Sequence, residues 1–228
     1  MRDIYKKYQE ADKVPEKVYS ELHTDFLVPL DIKIDDAAEE QFKLCSEAFY
    51  IWGDNRPELI TRKGMALVNL DGEITAKDLS IGPLDHHNRK YDKGLVDECY
   101  LESHFTQHTP MLQGVLEPIR QFDLCRSSIL WWQDGDNFVP HTDVVLPTVN
   151  LRLWGATNRN VSLRYGPDRD NLIEADYEPN RLYLIDTSIL HDARAFGDVY
   201  QYFIALLPTE KNYKKVFTLS EKYDIILI

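Results

Sequence analysis

Seven histidines are scattered along this 228-residue chain, and one stands in a setting that can do chemistry, Val139-Pro140-His141-Thr142-Asp143. On an extended strand side chains alternate faces with period two, so His141 and Asp143 point the same way and can close on one ion. A third ligand has to come from elsewhere. His191 follows the apolar stretch Arg181-Leu-Tyr-Leu-Ile-Asp186 and can return to the same place from a neighbouring strand. Two imidazoles and one carboxylate on one face of an ion leave the other positions open for a co-substrate and dioxygen, the arrangement of non-haem Fe(II) sites.

The tripeptide alone selects nothing, because His23-Thr24-Asp25 repeats it, with His86 or His87 as a nominal third ligand. Matches this short arise by chance. Context separates the two sets: His23 follows the charged, helix-like segment from Pro15 to Leu22, whereas His141 is followed by one strand-like run after another. His104 and His108 have the i, i+4 spacing that aligns two ligands on a helix. No carboxylate has a defined relation to them or to His86-His87, and all four read as surface histidines.

A ligand set of this kind needs strands to hold it, and the second half of the chain supplies them. Ser127–Trp132, Phe138–Val145, Thr148–Trp154, Val161–Tyr165, Arg181–Asp186 and Val199–Leu207 are short apolar runs, with turn residues such as Asp134-Gly-Asp-Asn137 and Asn158-Arg-Asn160 between them. Strands at this spacing form a sandwich or barrel. The first half reads differently. An apolar stripe from Ala37 to Trp52, opened by Asp35-Asp36, predicts a helix closed by Gly53-Asp54-Asn55-Arg56-Pro57. A second helix is predicted from Thr109-Pro110 to Leu124. Phe26–Ile34 reads as an extended segment with Pro29 favouring an edge, Met65–Leu70 as a strand, and Lys77–Glu98 as a long loop bordering the site. The expected class is β-rich α+β, a double-stranded β-helix (jelly roll, cupin-like) with supporting N-terminal helices. It is read as a single domain over 1–228, with a mixed part to 125, a barrel core over 126–208 and a C-terminal tail over 209–228.

Composition narrows the partners. A net charge of -12 and a pI of about 5.0 repel phosphate backbones and anionic membrane surfaces, so neither nucleic acid nor membrane is expected as a partner. Cys45, Cys99 and Cys125 include no C-x-x-C pair and read as reduced thiols of a cytoplasmic protein. The N-terminal residues lack the apolar stretch of a signal peptide, and no window approaches a membrane span. The aromatics Trp131, Trp132 and Trp154 read as core.

Four segments together resemble the Fe(II)/2-oxoglutarate oxygenases, in particular the aspartyl/asparaginyl β-hydroxylase-like and bacterial proline-hydroxylase-like branch. They are Arg126-Ser-Ser-Ile-Leu130, Pro140-His-Thr-Asp143, Asn150-Leu-Arg-Leu-Trp-Gly-Ala-Thr-Asn158 and Arg181-Leu-Tyr-Leu-Ile-Asp-Thr-Ser-Ile-Leu-His191. The resemblance is strong over residues 126–207. It implies Fe(II) on His141, Asp143 and His191, 2-oxoglutarate as co-substrate, and hydroxylation of an amino acid or peptidyl side chain, so that a small molecule or peptide is the expected partner.

The chain departs from the family's pattern at one position. Most such enzymes carry an Arg or Lys about ten residues beyond the distal His to hold the far carboxylate of 2-oxoglutarate; here that residue is Gln201, whose amide lacks the charge. Arg152 of the Leu-Arg strand is the replacement anchor if it faces inward, with Arg194 and Arg126 behind it. Period two leaves open whether Arg152 or the pair Leu151 and Leu153 faces the interior. Two other classes remain open, a non-catalytic jelly-roll binding domain and a cupin-like metalloenzyme that does not use 2-oxoglutarate.

Overall fold

A computed structural model describes residues 22, 25–51, 62–69, 104–105, 112–143, 151–207 and 209–220. In chain order the elements are β1 (Leu27–Lys33), α1 (Ala38–Leu44), a 3-10 turn (Ser46–Ala48), β2 (Tyr50–Ile51), β3 (Lys63–Ala66), β4 (Val68–Asn69), β5 (His104–Phe105) and α2 (Gln113–Ile119). There follow β6 (Leu124–Trp132), β7 (Asn137–His141), β8 (Leu151–Ala156), β9 (Val161–Gly166), β10 (Ile173–Glu174), β11 (Arg181–Ile185), β12 (Leu190–Ala195), β13 (Val199–Leu206) and α3 (Glu210–Leu219).

The strands from β6 onward form two facing antiparallel sheets. One runs β1-β11-β8-β13-β6-β3-β2, the other β10-β9-β12-β7. Along the chain β6 lies in the first sheet, β7 in the second, β8 back in the first and β9 and β10 in the second; β11, β12 and β13 then alternate again. Four strands in each sheet, wound in this order, are the double-stranded β-helix that the spacing of the short strands predicts. The strands β1, β3 and β2 widen the first sheet at its edges, and β1 is indeed terminal, as Pro29 requires.

Burial occurs on both faces of the large sheet, and this fixes which residues look inward. Leu151, Leu153, Leu182, Leu184, Tyr202 and Ile204 belong to a cluster with Phe42 of α1, Leu116 of α2 and Val216 of α3, on the helix side. Trp132, Trp154, Tyr183 and Ile185 belong to a second cluster with Val161, Leu163 and Ala193 of the small sheet, between the sheets. Every residue of β8 is buried, so hydropathy alone could not orient it. Arg152 shares the inner face with Trp154.

Three local expectations are corrected. The helix read from Asp35 to Trp52 is α1 only; Phe49 is already extended, and Tyr50 and Ile51 pair with Gly64 and Lys63 of β3. The aromatic and β-branched residues at the end of that stripe suit a sheet edge, and pairing overrides helical periodicity. The second helix spans Gln113–Ile119, and Leu124 already starts β6. The C-terminal tail contains a helix, α3, whose Thr209 hydroxyl accepts a hydrogen bond from the Asn212 amide at 3.3 Å as an N-cap. Asn212 is fully buried and carries the helix onto the barrel, with Nδ2 donating to the carbonyls of Asp123 (2.7 Å) and Leu207 (2.8 Å) while Oδ1 accepts from Asp123 N (3.0 Å). The Lys77–Glu98 segment, His23, His86, His87 and His108 lie outside the described residues, and His104 pairs with Asn69 across β4 and β5.

Candidate metal centre

His141 ends β7 and His191 lies near the start of β12, and the two are direct cross-strand partners. Their ring centroids are 4.4 Å apart. Each ring is oriented in the same way by its own strand: His141 Nδ1 lies 2.8 Å from the carbonyl of Val139, and His191 Nδ1 lies 2.8 Å from the carbonyl of Ile189. A carbonyl only accepts, so each Nδ1 carries the proton and each Nε2 presents a free lone pair.

Asp143 joins them from the segment after β7. Its backbone amide donates to the carbonyl of Thr187 at 2.9 Å, which ties it to the turn that delivers His191. Asp186 holds that turn by accepting from the amide (3.0 Å) and hydroxyl (2.6 Å) of Ser188. Asp143 Oδ1 is 3.5 Å from His141 Nε2, and a ligand atom from each of His141, Asp143 and His191 lies within 4.8 Å of the others. Among the described residues this is the one cluster of its kind. The histidines therefore come from neighbouring strands of the small sheet, and the carboxylate from the connection leaving the first of them.

Electrostatics favour the ligand forms. Burial would raise the Asp143 carboxyl, yet the neighbouring His141 and the positive charge of Arg152 lower it by more and hold the group well below the usual carboxylate range. Burial lowers His191 and keeps its imidazole neutral. The other oxygen of Asp143, Oδ2, accepts from Arg152 Nη1, which also lies 3.5 Å from the Thr187 hydroxyl. Arg152 thus faces inward, as an anchor has to, but its guanidinium is engaged with the metal carboxylate.

The three ligands open into a cavity of about 250 Å³ between the sheets. Trp132 and Trp154, expected only as core, are buried and also wall this cavity; Trp131 points the other way and stacks on Tyr200. Gln201 lines the cavity too, and its Oε1 accepts from Trp132 Nε1 at 3.2 Å. Arg194 is a correction: His191 and Ala193 take the inner face of β12, so the pleat turns Arg194 out to solvent, over the ring of Phe196. Arg126 lies on β6, and its side chain is outside the described residues.

One cavity residue escaped the sequence analysis. Arg62 immediately precedes β3 and is 7% exposed, with its guanidinium carbon 4.8 Å from the Trp132 ring and 4.6 Å from the Phe138 ring. Its Nε and Nη1 have no hydrogen-bond partner. Burial pulls its pKa down to about 10, so it remains charged at neutral pH. With Arg152 it gives the cavity two cations against one carboxylate, Asp143, among the described residues, inside a protein of net charge -12.

The donor set fits a first-row divalent ion with nitrogen and oxygen preferences, and no thiolate is among the ligands. The class that fold and site define is a double-stranded β-helix with a two-histidine, one-carboxylate centre. No protein-family model and no curated protein sequence matches the chain. Among solved structures it is similar to a prolyl hydroxylase from Trichoplax adhaerens, in complex with a hypoxia inducible factor oxygen degradation domain peptide fragment, at 11% identity over 97% of both chains with a TM-score of 0.47. It is also similar to a Pseudomonas putida prolyl-4-hydroxylase, at 10% identity over 85% of this chain and 98% of the other with a TM-score of 0.45. A ribosomal oxygenase from Escherichia coli in complex with cobalt and succinic acid aligns over 40% of this chain and 26% of its own, at 17% identity and a TM-score of 0.32. At such distances no chemistry transfers from them to this chain. Among the described residues no helix is long and apolar enough to cross a membrane.

Proposed function

We propose that this protein is an Fe(II)- and 2-oxoglutarate-dependent dioxygenase that hydroxylates an amino acid or a peptidyl side chain. The observation that carries the reading is the joint geometry of His141, Asp143 and His191: three ligand atoms within 4.8 Å of one another, both Nε2 lone pairs free, facing a cavity with excess buried positive charge. The iron, when bound, supplies the reaction of 2-oxoglutarate, dioxygen and a C–H bond to give succinate, carbon dioxide and a hydroxylated product.

The chain's own residues do the rest. Val139 and Ile189 fix the tautomers of the two histidines through their carbonyls. Arg152 holds one oxygen of Asp143 and so leaves the other, Oδ1, beside His141 for the ion. The excess of cations suits a dianionic co-substrate, which would otherwise be costly to bury. The aromatic walls keep bulk water away from the reacting centre. Amino-acid or peptidyl substrates are favoured by the resemblance over residues 126–207, and neither nucleic acid nor membrane is proposed as a partner.

The test is to load the purified protein with Fe(II) and 2-oxoglutarate without oxygen, record the metal-to-ligand charge-transfer absorption, then admit oxygen and measure succinate. Absorption followed by succinate supports the reading. Iron binding with no absorption and no succinate would transfer the site to a cupin-like metalloenzyme without 2-oxoglutarate, a reading that the uncharged Gln201 favours.

A further inference from the structure

We infer that Arg62 is the carboxylate anchor of this cavity: it takes the distal carboxylate of a dicarboxylate 2-oxo acid whose other end lies at His141, Asp143 and His191. The inference rests on the 2-oxoglutarate reading above and locates the charge that Gln201 lacks.

Arg62 is buried, and a buried guanidinium without a hydrogen-bonded anion is expensive. The faces of Trp132 and Phe138 offset part of that cost but accept none of the hydrogen bonds that Nε and Nη1 have to offer. Arg62 lines the same cavity as the three candidate ligands. Phe138 adjoins both, its ring centroid 3.7 Å from that of His141 and 4.6 Å from the Arg62 guanidinium carbon. The cation is therefore one aromatic ring away from a metal ligand.

Among the candidates whose side chains are described, the alternatives are otherwise committed: Arg152 is bonded to Asp143, at the metal end of the cavity, and Arg194 is outside it. Sheet register shows how the charge moved. Gln201 of β13 and Gly64 of β3 both pair with Leu130, from opposite sides of β6. Two residues before Gly64, just outside the ladder, is Arg62, whose guanidinium lies over the Trp132 ring; and Trp132 donates its Nε1 hydrogen to Gln201. Trp132 thus separates an uncharged residue at the expected position from a charged one on the far side of β6.

Calorimetric titration of Mn(II)-loaded protein with 2-oxoglutarate and with 2-oxobutanoate, which has no distal carboxylate, isolates the anchor from turnover. Wild type should prefer 2-oxoglutarate by roughly ten- to a hundredfold, the effect of one hydrogen-bonded charge pair. Arg62→Met should bring the preference close to one with Mn(II) affinity unchanged, and Arg62→Lys, which keeps the charge without the fork, should fall between. Adding Gln201→Arg to Arg62→Met should restore part of the preference. A full preference in both Arg62→Met and Arg62→Lys overturns the assignment of Arg62 and leaves the 2-oxoglutarate reading standing. Binding of neither acid to wild type overturns both.

Discussion

Replacing His191 by Ala should remove the metal-dependent part of the protein's stability. Among the described residues β7 is an edge strand, paired only with β12, and all five of its residues are only half-buried. The ladder slips between His191 and Ala193, so the pairing is weakest beside the site. An ion on His141 and His191 ties β7 to β12 at their cross-strand pair. A ligand that binds only the folded form, at a hundred times its dissociation constant, adds about 2.7 kcal/mol. For a chain of this size that is a rise of roughly 5 to 11 °C in Tm. Removing one of three protein ligands should weaken the ion enough to erase this increment at the same metal concentration. His191 also packs against Phe26, with centroids 5.9 Å apart, so the substitution lowers the metal-free Tm as well. The relevant quantity is therefore the difference between melting in Mn(II) and in a chelator, measured for wild type and variant, with amide exchange along β7 as a local readout. A His191→Ala protein that keeps the wild-type increment, or a His23→Ala protein that loses it, would refute the assignment.

Three further outcomes are expected. In Arg152→Met, burial of Asp143 meets less opposition, so its carboxyl titrates higher and acid should displace the metal at a higher pH than in wild type; an unchanged acid midpoint in a metal-retention titration counts against the Arg152–Asp143 pairing. Asn212→Ala leaves the Asp123 amide without its acceptor, while the Asp123 and Leu207 carbonyls keep the bonds they accept from Leu207 N and Thr209 N, and should cost about 1–3 kcal/mol, read as a lower urea midpoint at constant slope. With its net charge of -12 the protein should show no salt-dependent affinity for DNA or RNA, and a gel shift at moderate salt would contradict this.

Much of the site was legible because it is built from short-range rules. The His-x-Asp tripeptide marks two ligands at once, although the strand expected to run to Val145 ends at His141 and Asp143 stands in the connection after it, and the alternation of turn residues with apolar runs from Ser127 to Leu207 announces a two-sheet β protein. Asp186 and Ser188 form a local turn, and local turns are written in adjacent residues. The distal histidine could be named but not placed, because its pairing with His141 depends on which strands become neighbours in the small sheet.

What tertiary structure alone decided are the features that depend on both faces of the large sheet being covered. Leu151, Leu153, Arg152 and Trp154 are all buried, so no hydropathy pattern orients β8; helices on one side and the small sheet on the other do. The same double burial explains why the stripe read as helix as far as Trp52 becomes a sheet edge at Tyr50 and Ile51, beside β3. Arg62 escaped for a related reason. The strand reads as starting at Met65, and only the fold shows that this arginine, just outside the ladder of β3 and β6, lies over the Trp132 ring. A charge before a short strand carries no local signal of burial. It is the closure of two sheets around Trp132 and Phe138 that takes Arg62 out of water and sets it one ring from a metal ligand.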